Sequence, residues 1–299
     1  MIFRHHLCLK TQKIAFFALF LCRKIIKARE LKTIFDDVKL SFRTYIIKQM
    51  NQNNPSFLDT IPPVVKNLII INALLWLATA VPLQNLGVNL KEILALHYWD
   101  ADTFRPHQIV TYMFLHGGFD HLFFNMFGLF MFGRILEYTW GPKRFLIYYM
   151  VTGIGAGIIQ EITWTFDPQI TGIAAEISRV LESGAQTIQY SDGTTHSVNE
   201  YIGMLHNLIN NAITIGASGS IFGLLLAFGM LFPNQAIYLM FIPIPIKAKY
   251  FVIGYAVIEL ALGVGNFQFD NVAHFAHLGG MLFGYFLVKQ WKKGNYQKF

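Results

Sequence analysis

The chain is short of charge. Only 14% of its 299 residues are Asp, Glu, Lys or Arg, against roughly 25% in a soluble globular domain. By contrast, 54% are hydrophobic and the mean hydropathy is +0.42. That deficit excludes a disordered chain, a basic nucleic-acid-binding protein and an ordinary cytosolic enzyme. Cysteine is scarcer still. Cys8 and Cys22 are the whole complement, and both lie near the N-terminus, so the main body holds neither a disulfide framework nor a cysteine metal site. No internal repeat is visible, which leaves an inverted-repeat transporter without support. What the chain does have is a formal charge of +7, of which the location matters more than the size: 12 of the 24 Lys and Arg lie in residues 1–66. A basic end followed by long apolar runs is the pattern of a polytopic membrane protein.

Six apolar runs approach the roughly 20 residues that a span requires: Val64–Val81, His121–Tyr138, Phe145–Trp164, Ile215–Phe232, Tyr250–Gly265 and Val272–Gln290. A seventh, Ile14–Cys22, is too short and is flanked by Lys10, Lys13, Arg23 and Lys24; it suits a signal-peptide core or a surface-lying helix. With the N-terminus inside, the inner segments after Lys66 carry Arg134, Lys143, Arg144, Lys247, Lys249, Lys289, Lys292, Lys293 and Lys298, and the outer segments only Lys91, Arg105 and Arg179. Lys and Arg favour cytoplasmic loops, so both termini are expected in the cytoplasm. The outer segment from Pro82 to about Phe119 contains His97-Tyr98-Trp99-Asp100, a run suited to an interfacial helix or a loop on the membrane surface. A second outer stretch, 165–214, is polar and long enough to be an inserted subdomain.

Polar side chains within spans are costly and read as functional by default. Three clusters fall on one layer by this topology: His116, His121 and Asn125 at the entry to span two; Gly216-Ala-Ser218-Gly219-Ser220 at the outer start of span four; and His274 and His277 at the outer start of span six. With a rise of 1.5 Å per residue, Ser218 and His277 are expected three to six residues into their helices. A serine hydroxyl becomes a nucleophile when a neutral His takes its proton. Gly219/Gly223 and Gly280/Gly284 each recur at four, so the two helices can offer small-residue faces to one another. Asn125 lies one turn after His121 on the same face, and both can donate to a developing oxyanion.

The segments His116-Gly-Gly-Phe-Asp-His121-Leu-Phe-Phe-Asn125, Gly216-Ala-Ser218-Gly and Ala276-His277-Leu-Gly-Gly280-Met-Leu-Phe-Gly284 resemble the rhomboid intramembrane serine proteases, in the order and on the spans of that family. The resemblance implies an all-α, six-transmembrane-helix bundle that cleaves membrane proteins having a single transmembrane segment. The reaction would run through an acyl-enzyme and a Ser-His dyad, with no cofactor and no metal. Ser218 matches the nucleophile and His277 the general base, without the carboxylate of the familiar triad. His121 and Asn125 match the oxyanion-hole side chains, with the Ser218 N–H as a further donor. His116, Gly216, Gly219 and Phe222 match supporting positions, Phe222 as the aromatic packed on the base where the family often has Tyr. Arg134 and Glu137 match a structural corner at the inner end of span two. The family often has Trp-Arg where this chain has His107 and Gln108.

Residues 61–291 are expected to form the catalytic domain, with the insertion at about 165–214. Residues 1–60 read as a basic cytoplasmic extension, of which 1–49 read as an upstream addition or misassigned start ahead of Met50, and 292–299 as a basic tail. A multi-pass protein of the bacterial inner membrane fits this compact plan, with the lipid bilayer and membrane-protein substrates as partners and no nucleic acid. Two other functions compete: an inactive rhomboid-like factor that binds membrane proteins, and a metal-dependent membrane enzyme using His116, His121, His274 and His277. Against the latter, HExxH is absent and no carboxylate is seen to accompany the cluster. His274 reads as a surface or gate-lining residue, and His196 and His206 as solvated. The Gly153-Ile-Gly155-Ala-Gly157 run reads as a packing face. In a background lacking Cys8 and Cys22, single cysteines at Thr194 and Asn295 should react with an impermeant thiol reagent from opposite sides of the membrane; same-side labelling would contradict the charge-based topology.

Overall fold

The computed structural model describes residues 60–80, 89–190, 193–239, 242–265 and 273–293. The N-terminal extension, with Ile14–Cys22 and Met50, lies outside these residues, as does the tail from 294. The described chain is mostly helical: α1 Pro63–Ala80, α2 Leu90–Leu94, α3 Gln108–Thr111, α4 Phe119–Gly128, α5 Arg134–Trp140, α6 Pro142–Thr165, α7 Pro168–Glu182, α8 Val198–Asn210, α9 Ser218–Leu231, α10 Ala248–Gly265 and α11 His274–Lys293. A π-helical stretch, Leu129–Gly133, joins α4 to α5. All-α was the expectation, yet three antiparallel two-stranded ribbons are also present: β1 Leu96–His97 with β4 Ile213–Thr214, β2 Thr187–Gln189 with β3 Thr195–Ser197, and β5 Ala236–Leu239 with β6 Ile242–Lys247. They lie in the connections, where backbone groups left by the helices must find partners.

Among the described residues, each of the six apolar runs falls mainly on helix, although of these helices only α6 and α10 are both long and apolar enough to cross a membrane by themselves. These two differ in surroundings. Within their apolar windows 56% of α6 is buried against 17% of α10, so α6 is central and α10 peripheral. Helix α11 packs chiefly on α6 and α9. Lipid is as apolar as a leucine, so close packing rather than hydrophobicity must hold such helices together. Small residues make that packing possible. Gly153 receives Met113 and Ser220, Gly155 the Phe283 ring, and Gly157 the Tyr112 ring. Gly219 and Gly280 bring the backbones of α9 and α11 into contact, so that the place a Cβ would take on Gly280 is filled by the Gly219 carbonyl. Gly223 and Gly284 do not continue that seam as their spacing suggested; they accept Thr152 and Tyr148 of α6.

Polar ties fix the ends. The Glu137 carboxylate accepts from Val64 N (2.9 Å) and Val65 N (2.8 Å), closing the first turn of α1, whose N–H groups have no helical partner. In the segment between α1 and α4, His97 is not on a helix but in β1, paired to β4. Its Nε2 donates to Glu92 O at 3.1 Å, and its Nδ1 accepts from Thr103 Oγ1 at 2.7 Å. His107 Nε2 donates to Ile93 O at 2.8 Å, and Gln108 accepts from Arg105 N at 2.9 Å while donating to Thr103 O at 3.1 Å, so this pair braces that segment. The 165–214 insertion folds as α7, capped by Asp167, the β2–β3 ribbon and α8, which opens on a Ser197/Glu200 capping box. His196 and His206 sit on its exposed surface beside Glu200 and Asp102.

Replacing Gly280 by Ala should force α9 and α11 apart and cost about 1–3 kcal/mol as an overpacked contact, seen as a lower thermal unfolding midpoint. Gly254→Ala, at a position with open space around it, should leave the midpoint where it is. Equal midpoints for the two variants would show that the backbone contact is dispensable.

Candidate active site

The chain leaves α8, pairs as β4 with β1, and is caught again where Gly216 N donates to Tyr112 O at 2.9 Å. Gly216 has φ +133°, a conformation that side chains other than glycine's avoid, and the helix starts two residues later. Ser218 is therefore the first residue of α9 rather than three to six residues inside it, because the β4 pairing and the Gly216 turn hold Ile215 and Gly216 out of the helix. The first helical bond in this region runs from Ile221 N to Ala217 O. The first N–H groups of α9 thus have no partner within the helix, and Ser218 stands at its positive end.

From the other side, α11 begins at His274 and carries His277 in its first turn. Through the Gly219–Gly280 contact, His277 Nε2 comes within 2.8 Å of Ser218 Oγ. Phe222 lies flat on the imidazole, ring centroids 4.2 Å apart and 8° from parallel. His121 borders the same place: its Nε2 lies against Gly216, near Ser218 Oγ. Its Nδ1 accepts from Gly117 N at 3.3 Å, which leaves the ring proton on Nε2, facing Gly216. Asn125 Nδ2 donates to His121 O at 2.7 Å. Asn125 Oδ1 and both ring nitrogens of His116 are buried with no partner among the described residues; the His116 ring meets that of His121 edge-on at 5.0 Å.

A residue that the motifs passed over joins this group. Glu259, on α10, accepts from His277 Nδ1 at 2.9 Å and from His274 Nδ1 at 2.7 Å through one oxygen, Oε2. The expectation that no carboxylate accompanies the histidines is thereby corrected, since the partner comes from a helix that carries no motif. His274 is also not a surface residue: it is buried and tied to Glu259. The signal was in the sequence, because Glu259 is the sole acidic residue in an otherwise apolar helix, and such residues read as functional by default. Among the described residues, the side chains placed to share a metal ion are Glu259, His274 and His277, with ligand atoms within 4.8 Å of one another. His116 and His121 are not among them, so the four-histidine metal set is not assembled.

The family model for the Rhomboid domain matches residues 103–290, and the chain belongs to the rhomboid family of integral membrane proteins. Its relatives include YdcA of Bacillus subtilis (strain 168), whose name proposes a rhomboid protease. It is 31% identical over 127 residues, 38% of this chain and 57% of that protein. Two from Arabidopsis thaliana are more distant: Rhomboid-like protein 11, chloroplastic, 25% identical over 61% of this chain and 51% of its own length, and RHOMBOID-like protein 5, 28% identical over 60% and 42%. The chain spans about half the length of these curated relatives.

The parallel Phe222–His277 stack predicts a graded effect. Aromatic stacking is worth about 0.5–1.5 kcal/mol, so Phe222→Ala should slow labelling of Ser218 by a fluorophosphonate about two- to tenfold, while Phe222→Tyr keeps the rate. Unchanged labelling of Phe222→Ala would show that the stack does not bear on the Ser218–His277 pair.

Proposed function

We propose that this chain is an intramembrane serine endopeptidase, and the observation that carries the reading is the 2.8 Å contact between His277 Nε2 and Ser218 Oγ at the start of α9. As Ser218 Oγ attacks a peptide carbonyl, its proton passes to His277 Nε2, and negative charge grows on the carbonyl oxygen. The Ser218 N–H, the Nε2–H of His121 and the second amide hydrogen of Asn125 are the donors proposed to hold that charge. Fixed donors in a site shielded from water stabilise a transition state most effectively. His277 then gives the proton to the leaving amine, and water hydrolyses the ester on Ser218.

The substrates are membrane proteins with a single transmembrane segment that unwinds locally, because an intact helix keeps its carbonyls in its own hydrogen bonds. In this reading α1, α4–α5, α6, α9, α10 and α11 are the six spans, both termini are cytoplasmic, and the site opens to the outer face of a bacterial inner membrane. The Glu259, His274 and His277 cluster favours a metal-dependent reading in composition. Its separations of 2.7 and 2.9 Å are those of hydrogen bonds, tighter than the roughly 3.3 Å between ligands on a tetrahedral zinc with bonds of about 2.0–2.1 Å.

Ser218→Ala and His277→Ala should each abolish cleavage of a single-span substrate while leaving expression and helicity intact, and fluorophosphonate labelling of the parent protein should be insensitive to chelators. Asn125→Ala should lower kcat about 10- to 100-fold with KM little changed, as when an interaction is made mainly in the transition state. Cleavage that survives Ser218→Ala, or that stops with a chelator, would overturn the serine reading. A folded protein that binds substrate but neither cleaves it nor reacts with the fluorophosphonate would mark an inactive binding factor instead.

A further inference from the structure

Glu259 stands apart from its own helix. Tyr250, Ile253, Val257, Ile258, Leu260 and Val264 of α10 are exposed, and of the helix's buried residues, Ala248, Val252 and Glu259, only Glu259 is charged, at 6% exposure. A carboxylate in such surroundings is expensive unless it is hydrogen-bonded, and here one oxygen takes two imidazole nitrogens. An ionised carboxylate can only accept, so His277 Nδ1 holds a proton. Its Nε2, 2.8 Å from Ser218 Oγ, therefore presents a lone pair to the serine hydroxyl. That is the tautomer a general base requires.

We infer that Glu259 is a positioning residue for His277, completing a Ser218–His277–Glu259 relay that draws on three helices, α9, α11 and α10. The inference rests on the serine-peptidase reading above and deepens it. When the Oγ–C bond forms and the carbonyl π pair moves onto oxygen, the Ser218 proton goes to His277 Nε2, and the ring becomes a cation. Glu259 stays ionised and offsets that cation at Nδ1. When the C–N bond breaks, the same proton leaves with the amine and the ring returns to neutral. His274 supplies a second N–H to the same oxygen and so fixes where the carboxylate points. Phe222 blocks one face of the ring, while Glu259 and Ser218 fix its two nitrogens, leaving the imidazole little freedom to turn.

The test uses the full chain in detergent or liposomes with a single-span substrate. Glu259→Gln and Glu259→Ala should lower kcat at least about 100-fold, with about 10⁴-fold, the loss when a soluble triad's base adopts the wrong tautomer, as the upper bound. KM should stay within about twofold, fluorophosphonate labelling should slow in parallel, and Glu259→Asp, which keeps the charge on a shorter arm, should recover part of the loss. Nitrogen-15 spectra of histidine-labelled parent protein should show His277 protonated at Nδ1 and not at Nε2, a readout that needs no variant to fold. The inference is overturned if kcat of Glu259→Gln stays within about twofold of the parent while Ser218→Ala and His277→Ala are inactive. It is equally overturned if His277 carries its proton on Nε2. Either result leaves the serine reading standing, whereas an active Ser218→Ala removes both together.

Discussion

Holding the hydroxyl of Ser218 and the imidazole of His277, on two different helices, at 2.8 Å constrains how the two backbones approach. That constraint is met at one point, where the Gly219 carbonyl lies in the space that any side chain on Gly280 would need. Everything at the site follows from it. The glycines of α6 extend the same device: Gly153, Gly155 and Gly157 let Met113, Phe283 and Tyr112 seat themselves against the central helix, which in turn sets the height of α9 and α11.

The close approach has a second consequence, in hydrogen bonding. Tight helix crossings expose carbonyls that water would otherwise satisfy, and side chains take them up instead. Tyr148 donates to Gly223 O at 2.8 Å, Tyr112 to Gly153 O at 2.6 Å, and Ser220 to Tyr149 O at 2.8 Å. Ser218 and Ser220 lie two residues apart and have opposite tasks. Ser220 is buried and spent on a backbone carbonyl, whereas Ser218 faces His277 at the helix end. Position on the helix, more than residue type, separates the structural serine from the one proposed to react.

Much of this was legible in the sequence, for identifiable reasons. The helices follow from apolar runs, and the meeting of Ser218 with His277 from the glycines beside them, of which Gly219 and Gly280 form the contact while Gly223 and Gly284, at the expected spacing of four, pack on α6 instead. The start of α9 was not legible to within three residues, because it is set by a pairing between β1 and β4 that joins positions more than a hundred residues apart, and by the φ of Gly216. Glu259 was legible as an oddity but not as a partner. Orientation was argued from Lys and Arg alone, which leaves a lone acid in an apolar run without a part to play. Glu259 shares the inward face of α10 with Ala248 and Val252, but a helix that is apolar on nearly every side does not indicate which face turns in to reach residues fifteen and eighteen positions on. His274 was misread for the same reason: its burial comes from α10, not from its own helix.

The position of the proposed site at helix ends reconciles two demands that conflict deeper in a membrane. Charge separation between an oxyanion and an imidazolium needs donors and a counter-charge, while hydrolysis needs water, and hydrocarbon supplies neither. At the first turn of α9 the backbone itself supplies unpaired N–H groups and the positive end of the helix, at no cost in side chains. At the first turn of α11 the imidazole is one turn or less from the end of its helix, and Glu259 approaches from α10 with its charge shared between two N–H donors. Moving the same residues two turns further along α9 would bury the hydroxyl beside Leu225 and Phe228, where every N–H is already committed to the helix. On this argument the Gly216 turn does more than relieve backbone strain: by ending the strand and starting α9 at Ser218, it sets the proposed nucleophile at the level of the helix-end donors.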